Sequence, residues 1–516
     1  MSDRAFVYAA IIIGTLAISL DFASVDLALP ALEAQYGLDL ESDQWVINGY
    51  VLAFAVLMVA GGRLADGYGR RNIFLIGMAI FAIASLLGGM AWSGSSVIGF
   101  RVLQGVGAAL LWPAMIGMAC AAVGESNRGF ALGLIFGTCS LGNSAGPVVG
   151  GALTEWLSWR WVLWINVPMA IFSILMTAWK VPKDETKAER PHNDYPGMVV
   201  LTSGLVALMI VVYQAEPWGW TNFKTLGLSA LAIVLFWLFP VVERRAREPL
   251  IPSDIIRNHE VLALCFCAVV ICQLFFIVLL YFTQYAMKFL GDDPMWAGAR
   301  VVQFMLSYGV VSYFGGVLYG FFGARRLILG GLACAAVASA LLAIFGPGAG
   351  WMAFNGSLVL LGIGVGAVIP TVSTRAIEAA GLERASLVSG IVFMCQLAGA
   401  ALMLAVSTAV FSAVSARDVQ SSLARDGIVL NPDQRQAVEE IIAGARSVHA
   451  LPLRTVAEVD DLAGIVDRAY QAGLSVVLWL SAALVLVSTA LVLRFVRPAE
   501  ASPPSVAAHA AESPHR

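Results

Sequence analysis

Gly62-Arg63-Leu64-Ala65-Asp66-Gly67-Tyr68-Gly69-Arg70-Arg71 sets three arginines, one aspartate and three glycines between two long apolar runs. Crossing a bilayer takes roughly 20 apolar residues, so a charged stretch between two such runs lies at a membrane surface. Its sign names the surface, because Lys and Arg gather in the short loops on the cytoplasmic side. With the N-terminus inside, twenty Lys and Arg share the side of this stretch, against four (Arg160, Lys224, Lys288, Arg300) in the short loops opposite. The expectation is a protein of the cytoplasmic membrane, with both termini and residues 62–71 inside.

The 516 residues are 59% hydrophobic and 13% charged, about half the charge of a soluble domain. Fourteen apolar stretches are long enough to span: 5–29, 44–62, 72–92, 97–122, 130–153, 160–179, 195–214, 224–242, 260–287, 297–320, 327–346, 351–372, 386–414 and 472–495. The net charge of −3 says nothing about a nucleic-acid partner, but no basic patch lies away from the membrane flanks and no such partner is expected; the expected partners are the lipid bilayer, a small molecule and protons, with a monomeric chain. All seven cysteines lie within apolar stretches and none has metal-ligand spacing with a histidine, so no metal and no cofactor are expected. G-x-S-x-G, H-E-x-x-H and nucleotide-binding G-x-x-x-x-G-K-S/T patterns are absent. The chain therefore does not read as an enzyme, and its energy would come from an ion gradient.

An internal repeat organises the spans. Gly105, Gly107 and Pro113 recur 257 residues on as Gly362, Gly364 and Pro370, and Gly133, Phe136 and Gly142 recur as Gly390, Phe393 and Gly399. At an offset of 254, Gly62, Leu64 and Gly69 recur as Gly316, Leu318 and Gly323. Spans 1–6 thus match spans 9–14 in the same orientation, with spans 7 and 8 left over. The predicted fold is an all-α integral membrane protein with 14 transmembrane helices: two parallel six-helix halves plus an inserted two-helix hairpin, around a central cavity. The segments are an N-terminal half (1–190), the insert with its linkers (191–258), a C-terminal half (259–497) containing an exterior loop at 415–471, and a disordered tail (498–516). Within that loop, Val438, Ile441, Ile442 and Ala445, then Val456, Val459, Leu462, Ile465 and Val466, follow helical spacing. It reads as a surface decoration or as a gate for substrate.

The quoted stretch then acquires a mechanical reading. Gly62 permits a close helix approach, and Asp66 can cap a helix N-terminus or pair with Arg70, forming a clasp with Gly69, Arg70 and Arg71. The second copy carries Gly320 at the acid's position, so the clasp is asymmetric. A simple positive-inside anchor is the plainer alternative. The stretch resembles the signature G-x-L-a-D-r-x-G-r-k of the major facilitator superfamily, with Gly67 in place of the usual basic residue. Leu20–Pro30 resembles the first-span signature L-D-x-T-i-v-n-v-A-L-P of the fourteen-span drug:proton antiporters of EmrB/QacA type, with Ala23 for Thr and Asp26 for Asn. Arg101–Gly107 matches R-x-x-Q-G-x-G. Gly142, Gly146, Pro147, Gly150 and Gly151 match the fifth-span antiporter motif. Trp159-Arg160-Trp161 and Ile165-Asn166-Val167-Pro168 resemble the entry to span six.

Charges inside a bilayer are expensive, about 2.5–3.5 kcal/mol each on insertion scales, so Asp21, Asp26 and Arg101 need partners, water or neutralisation. Asp21 and Asp26 lie about 140° apart around a helix and cannot share a target. Asp21 occupies the family position, which implies a proton carrier, and an unpartnered buried carboxylate suits that role. Asp26 is either a second proton or cation site or a water-exposed acid at the outer end of span 1. Arg101 either couples protonation to conformational change, as the resemblance implies, or snorkels to the surface. The Gly142–Gly146–Gly150 stripe suits close packing, sealing the halves together or acting as a hinge. The candidate substrate cavity comprises Gln104, Gln273, Phe276, Tyr281, Gln284, Gln303, Tyr308, Asn355 and Gln396, groups suited to an amphipathic molecule. The functional expectation is proton-coupled efflux of hydrophobic or amphipathic small molecules by alternating access. The alternatives are a dedicated exporter of one metabolite, lipid or self-made antibiotic, and a non-transporting sensor or scaffold.

Overall fold

A computed structural model of the chain describes residues 3–38, 40–122, 128–182, 194–291, 296, 298, 300–346, 351–426 and 456–498. Hydrocarbon offers no partner for a backbone amide, so a spanning segment must satisfy its hydrogen bonds within itself. Among the described residues, fourteen helices are long and apolar enough to cross. They are α1 (Phe6–Tyr36), α2 (Ser42–Tyr68), α3 (Arg70–Gly89), α4 (Gly94–Ala122), α5 (Gly129–Trp156), α6 (Arg160–Lys180), α7 (Tyr195–Ala215), α8 (Phe223–Glu243), α9 (His259–Met287), α10 (Val302–Phe322), α11 (Ala324–Phe345), α12 (Met352–Ala380), α13 (Leu382–Arg425) and α14 (Ala463–Phe495).

α1 to α6 pack mainly on one another, and so do α9 to α14. The repeat read from the glycines is reproduced in their contacts. A Cβ on Gly107 would meet Phe81 N at 2.6 Å and Gly77 O at 2.8 Å, and one on Gly364 would meet Gly331 O at 2.7 Å and Ala335 N at 2.9 Å. Those neighbours are themselves 254 residues apart. Gly69 and Gly323 both take positive φ, +97° and +74°, and each turns the chain directly into the next helix. Only glycine adopts that backbone without strain.

The halves touch at two crossings related by the same repeat. On α2, a Cβ at Gly62 would lie 2.5 Å from Ser386 O and 2.8 Å from Leu387 Cα of α13. On α10, a Cβ at Gly316 would collide with the backbone of Gly129 and Phe130 on α5. Both lie near the end of the bundle that carries the α2–α3 turn, called here the clasp face. α7 leans on α2 and α13, and α8 packs on α7. Trp237 (73% exposed) and Phe223 (87%) of α8 project outward, as a lipid-facing hairpin requires.

Several helices outrun their expected bounds. α1 changes to a 3₁₀ turn at Val25–Ala28 and continues to Tyr36, where Gly37 ends it in the left-handed region. Helix also continues to Asp426 after α13 and resumes at Val456 ahead of α14, so much of the expected exterior loop 415–471 is helical. The helical spacing at Val438–Ala445 and the tail from 499 lie outside the described residues. α9 and α13 each contain a π-helical turn, Val278–Phe282 and Cys395–Gly399, a distortion frequent at functional sites.

Candidate functional site

The candidate site comprises a buried polar assembly, a second one at the clasp face, and a cavity between the halves. The first assembly grows from Asp21, whose side chain is 0% exposed, and Arg101, 2% exposed. Arg101 Nη1 lies 2.6 Å from Asp21 Oδ2 and donates to Gln104 Oε1 at 2.6 Å, while its Nε donates to Val46 O at 3.2 Å. Gln104 Nε2 donates to Asp21 Oδ1 at 2.9 Å and to Ser85 Oγ at 2.8 Å. Asn166 Nδ2 donates to Asp21 Oδ1 at 2.7 Å. The Tyr50 ring lies under the guanidinium, 4.3 Å from its carbon, a further favourable cation–π contact. Five helices therefore converge on one carboxylate. Removing either member of such a buried pair strands the other charge, at about 3–5 kcal/mol.

Asp21 is thus partnered, not bare as the sequence suggested, because α4 brings Arg101 inward to it and α6 adds Asn166. Arg101 does not snorkel. Asp26 is an exposed residue of the 3₁₀ turn Val25–Ala28 within α1 and is not among the groups bonded around Asp21. Asn166, Ser85 and Tyr50 escaped the sequence reading. Asn166 was quoted only as part of Ile165–Pro168, and an amide amid an apolar span was the available signal. Its Oδ1 is buried without a hydrogen-bond partner.

The second assembly is at the clasp face. Asp66 does both of the things open to it. Arg70 Nε donates to its Oδ1 at 3.1 Å, and its carboxylate accepts from Ser386 N at 3.3 Å and Leu387 N at 2.8 Å, buried first-turn amides of the α-helical segment Ala385–Met394 of α13. A helix start leaves these amides unsatisfied and carries partial positive charge. Each arginine of the stretch holds a different part of the protein. Arg70 also donates to Gly117 O at 3.2 Å and Leu382 O at 2.9 Å, Arg71 donates to Ala178 O of α6 at 2.8 Å, and Arg63 pairs with Glu248 of the insert at 2.9 Å. Across the same face Arg375 pairs with Glu260 at 2.7 Å and Glu378 at 3.4 Å, and Tyr319 Oη donates to Glu378 at 2.5 Å. The sequence reading passed over Glu260, Glu378 and Tyr319.

The cavity lies between the halves. Ser19, Phe22, Phe54, Phe136, Cys139 and Asn143 line it from the N-terminal half, and Cys272, Phe275, Phe276, Tyr308, Phe393 and Gln396 from the other. In this conformer the space it encloses is about 90 Å³, well below the roughly 300–1,000 Å³ of a formed small-molecule site. Ser19 and Phe22 place it against α1, the helix of Asp21.

A family model described as the Major Facilitator Superfamily matches residues 11–404. The chain belongs to that superfamily. It is 30% identical over 505 residues to the tetracenomycin C resistance and export protein of Streptomyces glaucescens, covering 95% of this chain and 91% of that protein. It is 30% identical over 482 residues to the multidrug resistance protein Stp of Mycobacterium tuberculosis, covering 91% and 88%. The solved structure of the human organic anion transporter MFSD10 superposes with a TM-score of 0.61 at 12% identity, over 95% of this chain and 98% of that one, which shows the shared fold.

For this major facilitator protein, three of nine expected cavity residues line the cavity: Phe276, Tyr308 and Gln396. Gln104 is held in the Asp21 assembly. Gln273 donates to Ser407 at 2.7 Å inside the C-terminal half, and Tyr281 bonds Thr408 at 3.0 Å, packs tilted on the Phe411 ring and accepts from Tyr470 Oη at its carbonyl at 2.8 Å. Gln303 is tied to Asn355, and Gln284 is half-buried away from the lining. These polar groups satisfy one another between neighbouring helices, which composition cannot reveal. Of the two roles expected for the Gly142–Gly146–Gly150 stripe, sealing the halves and acting as a hinge, its contacts bear on the first. Its neighbours are Ser19, Ala23 and Ser24 of α1, so it joins two helices of one half and seals nothing between halves. Gly151 has open space around it and takes no part. Between the halves, Gly62, Gly133, Gly316 and Gly390 make the close approaches.

Proposed function

We propose that the protein exports hydrophobic or amphipathic small molecules across the cytoplasmic membrane in exchange for protons, by alternating access. Efflux rests on family membership and on relatives named for resistance and export. The bias of Lys and Arg places the clasp face in the cytoplasm. In the conformer described, that face is closed by backbone contact at both crossings.

The observation that carries proton coupling is the closed set of bonds around Asp21. Ionised, the carboxylate balances Arg101 and accepts from three side chains. A proton arriving from outside neutralises it, leaves Arg101 without a counter-charge in a dry interior, and loosens α1 from α4 and α6. Arg101 then gains by moving, and the helices that carry it move with it. At the clasp face, release of Asp66 from the α13 amides frees the crossing to open and admit substrate. Proton loss to the cytoplasm restores the first arrangement.

Purified protein in liposomes tests this. Asp21→Asn is expected to abolish efflux driven by a pH gradient while keeping substrate exchange without a gradient. Gradient-driven efflux at the wild-type rate would sink the assignment. A dedicated exporter is the second reading, favoured by the relative named for tetracenomycin C; Stp, named for multidrug resistance, favours breadth. A panel of unrelated drugs in efflux-deficient cells separates them, with many protected compounds meaning breadth and none meaning dedication.

A further inference from the structure

We infer that the central cavity selects uncharged, flat aromatic molecules that carry one hydrogen-bond acceptor and one donor, and discriminates against fixed cations. This rests on the reading of the cavity as the export site. Among the described residues its lining has aromatic rings, amides, thiols and two hydroxyls, those of Ser19 and Tyr308, but no ionised side chain. Asp21, on the α1 helix that lines the cavity, is already matched by Arg101 and turned toward α4 and α6. A permanent cation entering here would surrender its water with no counter-charge, at several kcal/mol. Cation–π contacts return about 0.5–2 kcal/mol, which does not offset that loss. Protonation of Asp21 sharpens the bias, since Arg101 then adds an uncompensated positive charge beside the cavity.

The polar requirement comes from two orphaned amide atoms, one from each half. Gln396 is 2% exposed, and its Nε2 donor has no hydrogen-bond partner; Asn143 has an unpartnered Oδ1 acceptor. Both residues line the cavity. Buried amide atoms left unpaired cost about 1–3 kcal/mol each. A ligand carbonyl facing Gln396 and a ligand N–H or O–H facing Asn143 would relieve both, while its rings pack on Phe275, Phe276 and Phe393. Because Asn143 is on α5 and Gln396 on the π-helical turn of α13, one molecule would bridge the halves.

Three tricyclic probes of matched shape test the inference on the full-length purified protein. Acridone is neutral with a carbonyl and an N–H, anthracene has neither, and N-methylacridinium is a fixed cation. Acridone is expected to bind at least about tenfold tighter than N-methylacridinium. Gln396→Leu and Asn143→Leu should each weaken acridone about threefold to tenfold, leaving anthracene within about twofold. Cation binding as tight as acridone, or acridone affinity unchanged in both variants, overturns the inference. Should the leucine variants misfold, the near-isosteric Asn143→Asp supplies the missing counter-charge and must raise affinity for N-methylacridinium; no gain overturns the inference equally. Liposome efflux separates the two readings. Equal export of acridone and N-methylacridinium defeats the selectivity and leaves export standing. Acridone that binds in the expected order yet is never moved defeats export, and with it the assignment of these contacts to substrate.

Discussion

The α2–α13 and α10–α5 crossings are built on the same glycines and carry different loads. Gly62 and Gly316 occupy equivalent places, and their partners Ser386 and Gly129 are themselves repeat mates. At the first crossing Asp66 caps the α13 amides, Arg70 adds two bonds across the junction, and the insert is pinned beside it by Arg63–Glu248 and Tyr68–Tyr195. At the second, the acid's position is Gly320, with open space where a side chain would stand. Duplication supplied the packing, and charge was placed on one copy. Close packing lets two helices meet, whereas a charged cap gives the meeting a releasable lock.

The comparison can be broken from both sides. The largest effect belongs to the glycines, since backbone atoms that a Cβ would strike cannot yield. Gly62→Val and Gly316→Val should each destabilise the protein by about 3 kcal/mol and stop transport, measured by thermal unfolding and liposome efflux; equal damage at both sites means packing is the shared element. Next, Asp66→Ala should slow efflux about tenfold at a stability loss of about 1–3 kcal/mol, with faster hydrogen exchange at the Ser386 and Leu387 amides and unchanged membrane topology. Unchanged exchange there would remove the clasp from the mechanism. Gly320→Asp offers the missing acid to the Gly129 and Phe130 amides and should slow efflux several-fold by fastening the second crossing; an unchanged rate would show that the two crossings open independently. The smallest effect is at Glu248→Gln. Glu248 is half-exposed, with 49% of its side chain accessible, and an exposed pair is worth about 0–1 kcal/mol, so thermal unfolding should barely move.

The halves differ inside as well. The repeat offset of 257 places Leu358 and Leu361 where the first half has Arg101 and Gln104, both fully buried. The buried Asp21–Arg101 pair thus sits in one half, and the other contributes π-helical turns and much of the aromatic lining. That division was half legible. Asp21 and Arg101 announced themselves because a charge in an apolar span has no cheap explanation, and Asp66 because the second copy of its stretch carries Gly320 instead. Asn166 and Ser85 did not, because a small polar residue in a membrane helix usually bonds its own backbone, as Ser339 and Thr371 do here. The cavity was the least legible part. Phe22, Phe54 and Phe136 differ in no sequence property from phenylalanines that face lipid.

Sequence alone determined that this chain spans a membrane fourteen times as a duplicated helical protein, because apolar length, loop charge and glycine spacing are written along one dimension. It also marked Asp21, an acid that an apolar span makes costly to bury alone. Tertiary structure decided what those residues touch. Asp21 became a paired group only when α4 and α6 closed on it, and the α5 glycine stripe met α1, its neighbour in the same half. Partnership between residues 80 or 320 positions apart depends on helix rotation and crossing geometry, which no local pattern records.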